Sequence, residues 1–204
     1  MSEGVRLAVV VGLPGVGKST VLNLAKEALV NKGYYVEVVN FGDYMLKYVV
    51  SRGLAKNRDE IRKLSLHVQR KAQEEAARNI RRDLEAKAQT KENVVGFVDT
   101  HAVIKTATGY WPGLPLHVIT NLMPNTIIVV EAKPEEIVAR QLRDKTRYRS
   151  DYADINLVRE LLSLNRMFAI ASAVLIGASV NFILNREGKA NEAAEELVKI
   201  IERL

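Results

Sequence analysis

The chain of 204 residues carries no cysteine, and its 30 Lys and Arg residues outnumber 24 Asp and Glu residues, giving a formal net charge of +6. The lack of cysteine excludes disulfides and thiolate-bound zinc, and the positive charge favours an anionic partner without identifying it. The longest apolar run, Met167 to Val180, contains serines and falls short of the ~20 residues that a membrane-spanning helix needs. Since the N-terminus shows no signal-peptide pattern, we expect a single-domain cytoplasmic protein.

Predicted strands alternate with predicted helices along the chain. Apolar and β-branched runs predict five strands, at Leu7–Val11, Tyr35–Val39, Val94–Asp99, Thr126–Val130 and Val180–Leu184. Helical spacing and capping residues predict helices at about 17–31, 44–53, 57–88, 116–121, from 134, at 155–179 and at 191–204. The Gly- and Pro-rich stretch after the third strand is expected to be a loop. This alternation predicts an α/β fold with a parallel sheet and right-handed crossovers.

The first strand runs into Gly12-x-x-x-x-Gly17-Lys18-Ser19, the spacing of a phosphate-binding loop, and then into a helix. In such a loop the backbone N–H groups and the helix N-terminus bind the phosphates of a nucleoside triphosphate. Lys18 is expected to reach the β- and γ-phosphates, and the Ser19 hydroxyl to help hold Mg²⁺. A loop that merely turns the chain is the alternative. A dinucleotide fingerprint fits less well, because the glycines are spaced GxxGxG rather than GxGxxG.

Polar residues follow the third strand, at the sheet edge where α/β proteins bind ligands. Asp99 is placed to hold Mg²⁺ or its waters, although a strand-end Asp can also cap the next turn. Thr100 and His101 come next and are expected to face the same crevice. Transfer to a phosphate acceptor needs no general base, because the acceptor oxygen is already anionic. His101 is therefore predicted to be a positioning residue at most.

Two basic clusters predict further contacts with phosphate. Five cations fall within ten residues of one another, at Arg140, Arg143, Lys145, Arg147 and Arg149. A lid that closes guanidinium groups onto a transferring phosphoryl group would explain this density, and a solvated basic loop is the alternative. Arg166 would add a contact from the opposite wall, unless it is an ordinary surface charge. The second cluster, Arg58, Arg62 and Lys63, follows soon after Phe41-Gly42-Asp43 and suits the phosphate of a monophosphate substrate.

These residues make the chain similar, over close to its full length, to the archaeal-type adenylate kinase family. The resemblance rests on the runs Gly12-Leu13-Pro14-Gly15-Val16-Gly17-Lys18-Ser19-Thr20, Phe41-Gly42-Asp43-Tyr44-Met45-Leu46, Arg58-Asp59-Glu60-Ile61-Arg62-Lys63-Leu64, Asp99-Thr100-His101-Ala102-Val103-Ile104-Lys105-Thr106, Gly109-Tyr110-Trp111-Pro112-Gly113-Leu114-Pro115 and Arg140-Gln141-x-Arg143-Asp144. Many nucleotide enzymes share the first run. The fourth and fifth runs together are far more specific.

The resemblance implies reversible transfer of a phosphoryl group from MgATP to AMP, giving two ADP. It also implies a P-loop kinase sheet in the order 2-3-1-4-5, a helical monophosphate-binding region near 41–90 and a short lid near 140–152. Residues 12–20 would bind the ATP phosphates, and Ser19 and Asp99 would hold Mg²⁺, Asp99 through water or directly. Lys18, Arg140, Arg143, Arg147 and Arg149 would act in catalysis. The substrate-binding residues would be Asp43, Arg58, Arg62, Thr100, His101, Lys105 and Arg166.

The resemblance also implies the partners of the protein. The expected partners are ATP and AMP, with neither nucleic acid nor a membrane, and with a trimer as the common assembly in the family. No zinc is expected, because the long zinc-binding lid of some relatives would require cysteines that this chain does not have.

One run departs from the widespread bacterial and eukaryotic adenylate kinases. Their Asp-Gly-Phe/Tyr-Pro-Arg-Thr hallmark is replaced here by Asp99-Thr100-His101-Ala102-Val103-Ile104-Lys105-Thr106. Lys105 is the only stand-in for the arginine that binds the AMP phosphate, and a lysine cannot make the same two-pronged contact.

A nucleotide-driven switch or nucleic-acid ATPase is the competing function. The net charge of +6 motivates this hypothesis, which predicts slow, partner-stimulated ATP hydrolysis and a steep dependence on salt. A guanine-specific switch is disfavoured, because the chain has no Asn-Lys-x-Asp run.

Overall fold

A parallel sheet of five strands forms the centre of the protein. The computed structural model describes residues 4–106, 109–143 and 154–204. The strands are β1 (Arg6–Val11), β2 (Tyr35–Asn40), β3 (Val94–Thr100), β4 (Val103–Thr106), β5 (Gly109–Pro112), β6 (Thr126–Glu131) and β7 (Ser179–Leu184). The helices are α1 (Lys18–Asn31), α2 (Phe41–Ser51), α3 (Arg58–Ile61), α4 (Leu66–Ala88), α5 (Leu116–Leu122), α6 (Pro134–Arg143), α7 (Ile155–Val174) and α8 (Ala190–Glu202).

The strand order of the main sheet is β2-β3-β1-β6-β7, with every neighbouring pair parallel. This is the predicted order, since β6 and β7 are the fourth and fifth strands predicted from the sequence. The register places Val11 beside Thr100 and Asn40 beside Asp99. The carboxyl ends of β1, β2 and β3 therefore meet at one edge, together with the loop that begins at Gly12.

Helices cover both faces of this sheet. Successive strand residues point to opposite faces, so Val10 packs in one apolar cluster and Val9 in the other. The first cluster includes Leu22 of α1 and Leu197 of α8, and the second includes Ile80 of α4. Burial of both faces explains why the central strands β1, β3 and β6 are almost uniformly apolar rather than alternating. Among the described residues, no helix combines the length and apolar character required to cross a membrane.

Three helices differ from the predicted ones by more than two residues or by a break. The helix predicted over 57–88 is broken into α3 and α4, because Ser65 provides a second N-cap by accepting from the Val68 N–H at 3.4 Å. The α2 helix begins at Phe41, before the predicted start, since the Asn40 side chain caps it. Helix α7 ends at Val174 rather than near 179, ahead of a turn in which Gly177 has a φ of 69°.

The prediction of a loop after β3 was wrong, because the chain there forms an antiparallel hairpin of β4 and β5. Lys105 pairs with Tyr110, and Ile104 with Trp111, which is half-buried. The base of the hairpin is tight, with the Gly113 N–H donating to the Ala102 carbonyl at 2.8 Å. A Cβ atom at Gly113 would lie 1.7 Å from the His101 carbonyl oxygen, so only glycine fits there.

Gly113→Ala is expected to destabilise the protein, because the clash is with backbone that cannot rotate away. We expect the free energy of unfolding to fall by about 1–3 kcal/mol, the usual range for overpacking. Urea unfolding followed by circular dichroism would measure it. Gly4→Ala is the matched control, since a Cβ there has nothing within 4 Å. Equal stability of the two variants would show that the hairpin base is not constrained as described.

Candidate active site

The loop between β1 and α1 adopts a conformation that its glycines make possible. Gly15 and Gly17 have φ values of 89° and 83°, in the left-handed region that most residues avoid. Gly12 lies against the sheet, where a Cβ atom would come within 2.6 Å of the Val130 carbonyl oxygen. Helix α1 begins at Lys18, immediately after this turn, so the backbone N–H groups of its first turn lie at the loop. This is the strand-loop-helix arrangement of a phosphate site.

Lys18 is buried at this loop and bound to the end of β3. Its ammonium group forms an ion pair with Asp99 and donates to the Thr100 carbonyl at 2.7 Å. Burial lowers the pKa of Lys18, and the Asp99 carboxylate opposes that change. The predicted triphosphate lysine and the predicted magnesium ligand are therefore in direct contact.

His101 ties the end of β3 to the phosphate loop. Its Nδ1 lies 2.9 Å from the Gly12 carbonyl oxygen. Since a carbonyl oxygen only accepts hydrogen bonds, Nδ1 carries the hydrogen in this contact. The contact is consistent with the positioning role predicted for His101.

The predicted monophosphate residues gather at the start of α2 and α3. Arg58 donates to Asp43 at 2.5 Å and to the Asn40 side-chain oxygen at 2.9 Å. Arg62 follows α3 directly and is exposed. Lys105 is exposed on the hairpin. Among the described residues, no hydrogen bond or ion pair joins Lys105 to Arg58. The structure thus joins Asp43 and Arg58 and places Arg62 one turn away, while the role of Lys105 stays a prediction.

Arg140 reaches the phosphate loop from α6. Its Nη1 donates to the Gly15 carbonyl at 3.2 Å, while its other nitrogens bind Glu187 at 2.7–2.8 Å and Glu136 at 3.2 Å. The hydrogen bond from Arg140 lowers the pKa of Glu187. Arg143 lies one turn further on, 3.6 Å from the same Glu187 carboxylate, with 67% of its side chain exposed. The two arginines share one helix face, as predicted. Lys145, Arg147 and Arg149 lie outside the described residues.

Arg166 of α7 is held by an ion pair with the last residue of β6. Its guanidinium group binds both oxygens of Glu131, which is buried, and stacks 5.0 Å from the centre of the Phe182 ring. The Glu131 hydrogen bond raises the pKa of Arg166. Both residues line a pocket of about 390 Å³, which is formed by α7, by residues 131–134 and by Leu184 at the end of β7. The predicted contact of Arg166 with substrate stays a prediction.

Asn185, which the sequence analysis did not single out, supports the phosphate loop from the end of β7. Asn185 is buried. Its side-chain Nδ2 donates to the Val16 carbonyl at 2.8 Å, and its backbone N–H donates to the Glu131 backbone carbonyl at 2.7 Å. A Cβ atom at Gly17 would lie 2.3 Å from that Nδ2 atom. Asn185 also lines a pocket of about 220 Å³ with Gly17, Thr20 and Arg140. Its place directly after the fifth predicted strand was the one signal in the sequence.

The oxygen donors at this edge suit magnesium. Mg²⁺ is commonly bound by one or two carboxylates together with substrate phosphates and water. Asp99 and the exposed Ser19 hydroxyl, at the first turn of α1, supply such oxygens. Within the described ranges, no group of three or more His, Cys, Asp or Glu side chains could hold a metal ion.

Comparisons with known proteins agree with this geometry. A family model described as an AAA domain matches residues 11–158, which is more than half of the chain. The adenylate kinase of Saccharolobus solfataricus is 47% identical over 193 residues, covering 95% of this chain and 97% of that protein. The chain belongs to the adenylate kinase family. The adenylate kinases of Methanopyrus kandleri and Methanocaldococcus jannaschii are 42% and 40% identical over 196 residues, each covering 96% of this chain.

Membership of the adenylate kinase family makes the chain a phosphotransferase of the P-loop class. The family resemblance stated from the sequence is thereby confirmed, as is the P-loop kinase fold.

Proposed function

We propose that this adenylate kinase family member transfers a phosphoryl group reversibly from MgATP to AMP, giving two ADP. The proposal is carried by one observation: a buried lysine of a phosphate loop, an acidic strand end and an Arg–Asp pair lie together at one sheet edge. Relatives named adenylate kinase over nearly the whole chain support AMP as the acceptor.

ATP would occupy the loop of residues 12–20. The turn glycines allow backbone N–H groups to face the phosphates, and Lys18 would bind their oxygens after exchanging its Asp99 partner for them. The pocket of about 220 Å³ beside Gly17, Thr20 and Arg140 lies next to the loop and suits the nucleoside end of the molecule. Magnesium bound by Ser19, Asp99 and the phosphates would neutralise charge on the β- and γ-oxygens.

AMP would lie on the side of α2 and α3. Arg58 binds Asp43 and Asn40 through the same nitrogen, Nη2, and a guanidinium group has five N–H donors in all. Further donors of Arg58 would bind the AMP phosphate in the forked manner that arginine favours, with Arg62 beside it. Thr100, His101 and Lys105 would border this site, and Arg166 would approach from α7.

The transfer step itself needs no base. An oxygen of the AMP phosphate attacks the γ-phosphorus, a new O–P bond forms, and the bond to the bridging β-phosphate oxygen breaks with its electron pair leaving on ADP. The protein must stabilise negative charge on the transferring group. Lys18 would do this from the phosphate loop and Arg140 from α6, and Arg143, Arg147 and Arg149 would join them from a lid near 140–152.

Lys18→Ala is expected to lower kcat at least about a hundredfold, the scale seen when one charge-stabilising donor is removed. The measurement is ADP production in a coupled assay, with ATP and each of AMP, UMP, CMP and dTMP as acceptor. Wild-type protein should act on AMP. Lys26→Ala is the control, since Lys26 is exposed on α1. Unchanged turnover in Lys18→Ala would refute the assignment of the loop, and absence of transfer to any monophosphate would refute the function.

Arg58→Ala is expected to raise the KM for AMP about tenfold or more while the KM for ATP changes less than about threefold, because a charge-assisted hydrogen bond is worth about 1.5–3 kcal/mol. Arg82→Ala removes an equivalent exposed charge, paired with Asp83 on α4, and should change neither value. A larger effect of Arg58→Ala on ATP than on AMP would place the two substrates the other way round.

We propose further that the protein forms a homotrimer and works in the cytoplasm. The family resemblance suggests the trimer, and an apolar face gives it a surface. Met167, Ile170 and Val174 of α7 are exposed beside Phe182 and Leu184 of β7, which is an edge strand of the main sheet. Exposed apolar patches of this kind are typical of protein–protein contacts. The lack of cysteine is compatible with a cytoplasmic location.

Val174→Glu should dissociate this assembly, because it places a charge on the apolar face at a side chain that is 74% exposed. Light scattering over a range of concentrations should give three times the chain mass for wild type and a lower mass for the variant. Val30→Glu, on the exposed side of α1, should leave the mass unchanged. A wild-type mass equal to that of one chain at every concentration would exclude the trimer.

A further inference from the structure

Asn40 occupies the point where the two proposed nucleotide sites meet. It is the last residue of β2, and the sheet register pairs it with Asp99 at the end of β3. Both polar atoms of its side chain are used. The Nδ2 atom donates to Asp99 Oδ2 at 3.3 Å, and Oδ1 accepts from the Gly42 N–H at 3.0 Å and from Arg58 Nη2 at 2.9 Å.

The contacts of Asn40 complete a continuous chain of polar groups across the site. Asp99 binds Lys18 through Oδ1 and Asn40 through Oδ2, so a rotation of its carboxylate changes both contacts. Arg58 in turn binds Asn40 and Asp43 through Nη2. This set of contacts therefore runs from the phosphate loop to the arginine proposed for AMP, and Asn40 links its two halves.

We propose that Asn40 is a positioning residue that couples the ATP site to the AMP site. Its amide sets the orientation of the Asp99 carboxylate, and its carbonyl oxygen holds Arg58. When a triphosphate replaces Asp99 at Lys18, the Asp99 carboxylate becomes free to rotate. The rotation shifts the Asn40 side chain, and that shift moves Arg58. This inference rests on the proposed function for the placement of ATP at Lys18 and of AMP at Arg58.

The chemistry of asparagine explains why this residue type is required. The position needs a donor toward a carboxylate and an acceptor toward a guanidinium group, and a side-chain amide has both. Aspartate has the same shape and keeps the acceptor, but it brings a negative charge against Asp99. Asn, Asp and Ser are all good N-cap residues, so Asn40→Asp and Asn40→Ser preserve the cap of α2. The coupling can therefore be removed without removing the helix start.

The test is the affinity for AMP by isothermal titration calorimetry, with and without a saturating non-hydrolysable ATP analogue and Mg²⁺. For wild type we expect the analogue to change the Kd for AMP by about fivefold or more, the usual size of coupling between two sites. For Asn40→Asp we expect that ratio to fall below about twofold, while the Kd for AMP alone changes less than about threefold because Arg58 keeps its acceptor.

Asn181→Asp is the matched control. Asn181 lies on β7, at the opposite edge of the same sheet, where its amide donates to Thr126 Oγ1 at 2.9 Å. This variant adds the same charge and should keep the wild-type ratio. For Asn40→Ser we also expect the ratio of the Kd values for AMP without and with the analogue to fall below about twofold, since the short serine hydroxyl cannot reach both Asp99 and Arg58. Urea unfolding would verify that the variants fold.

Two outcomes would overturn the proposal: a wild-type Kd for AMP that the analogue leaves unchanged, or an Asn40→Asp ratio equal to that of wild type. Failure of the proposed function looks different, because wild type would then show neither AMP binding nor transfer to AMP in the coupled assay.

Discussion

The ion pair between Lys18 and Asp99 is the contact on which the rest of the site depends. It joins the first turn of α1 to the end of β3, so it fixes the phosphate loop against the strand beside it. A buried ammonium group without a partner would be strongly unfavourable, and the Asp99 carboxylate supplies that partner. The parallel register between β1 and β3, with Val11 beside Thr100, makes the contact possible. The hydrogen bond from His101 to Gly12 closes the same junction a second time.

The burial of both sheet faces decides where polar chemistry can lie. Helices cover each face, so the interiors of the central strands β1, β3 and β6 are apolar and offer no room for charged groups. Polar residues therefore collect where the strands end, at Asn40, Asp99, Glu131 and Asn185. Each of these four makes a side-chain hydrogen bond to another segment at that edge. The site is thus a consequence of the layer architecture, which leaves one edge for ligands at the carboxyl ends of parallel strands.

Local patterns allowed much of this structure to be predicted, and long-range contacts limited the rest. The spacing of Gly12, Gly17 and Lys18 predicts strand, loop and helix because the conformations needed are local. The N-cap at Asn57 could also be predicted from the sequence. However, Ser65 caps a second helix, and the sequence alone does not show which capping residue starts a separate helix. The β4–β5 hairpin was missed because its Gly and Pro residues resemble those of a loop. Asn185 was missed because its partner, Val16, lies far away along the chain, and only the folded sheet brings them together.

The cations predicted for the site share one electrostatic arrangement. Lys18 pairs with Asp99, Arg58 with Asp43, Arg140 with Glu136 and Glu187, and Arg166 with Glu131. Each carboxylate holds its cation in place, so a phosphate that binds must displace or share an existing partner rather than attract a mobile side chain. Such exchange reduces the net gain from any single contact, since one charged hydrogen bond replaces another. It therefore favours ligands that engage several cations at once, which a triphosphate and a monophosphate bound together would do. The net charge of +6 is a property of the whole surface, whereas these ion pairs have fixed partners at one edge of the sheet.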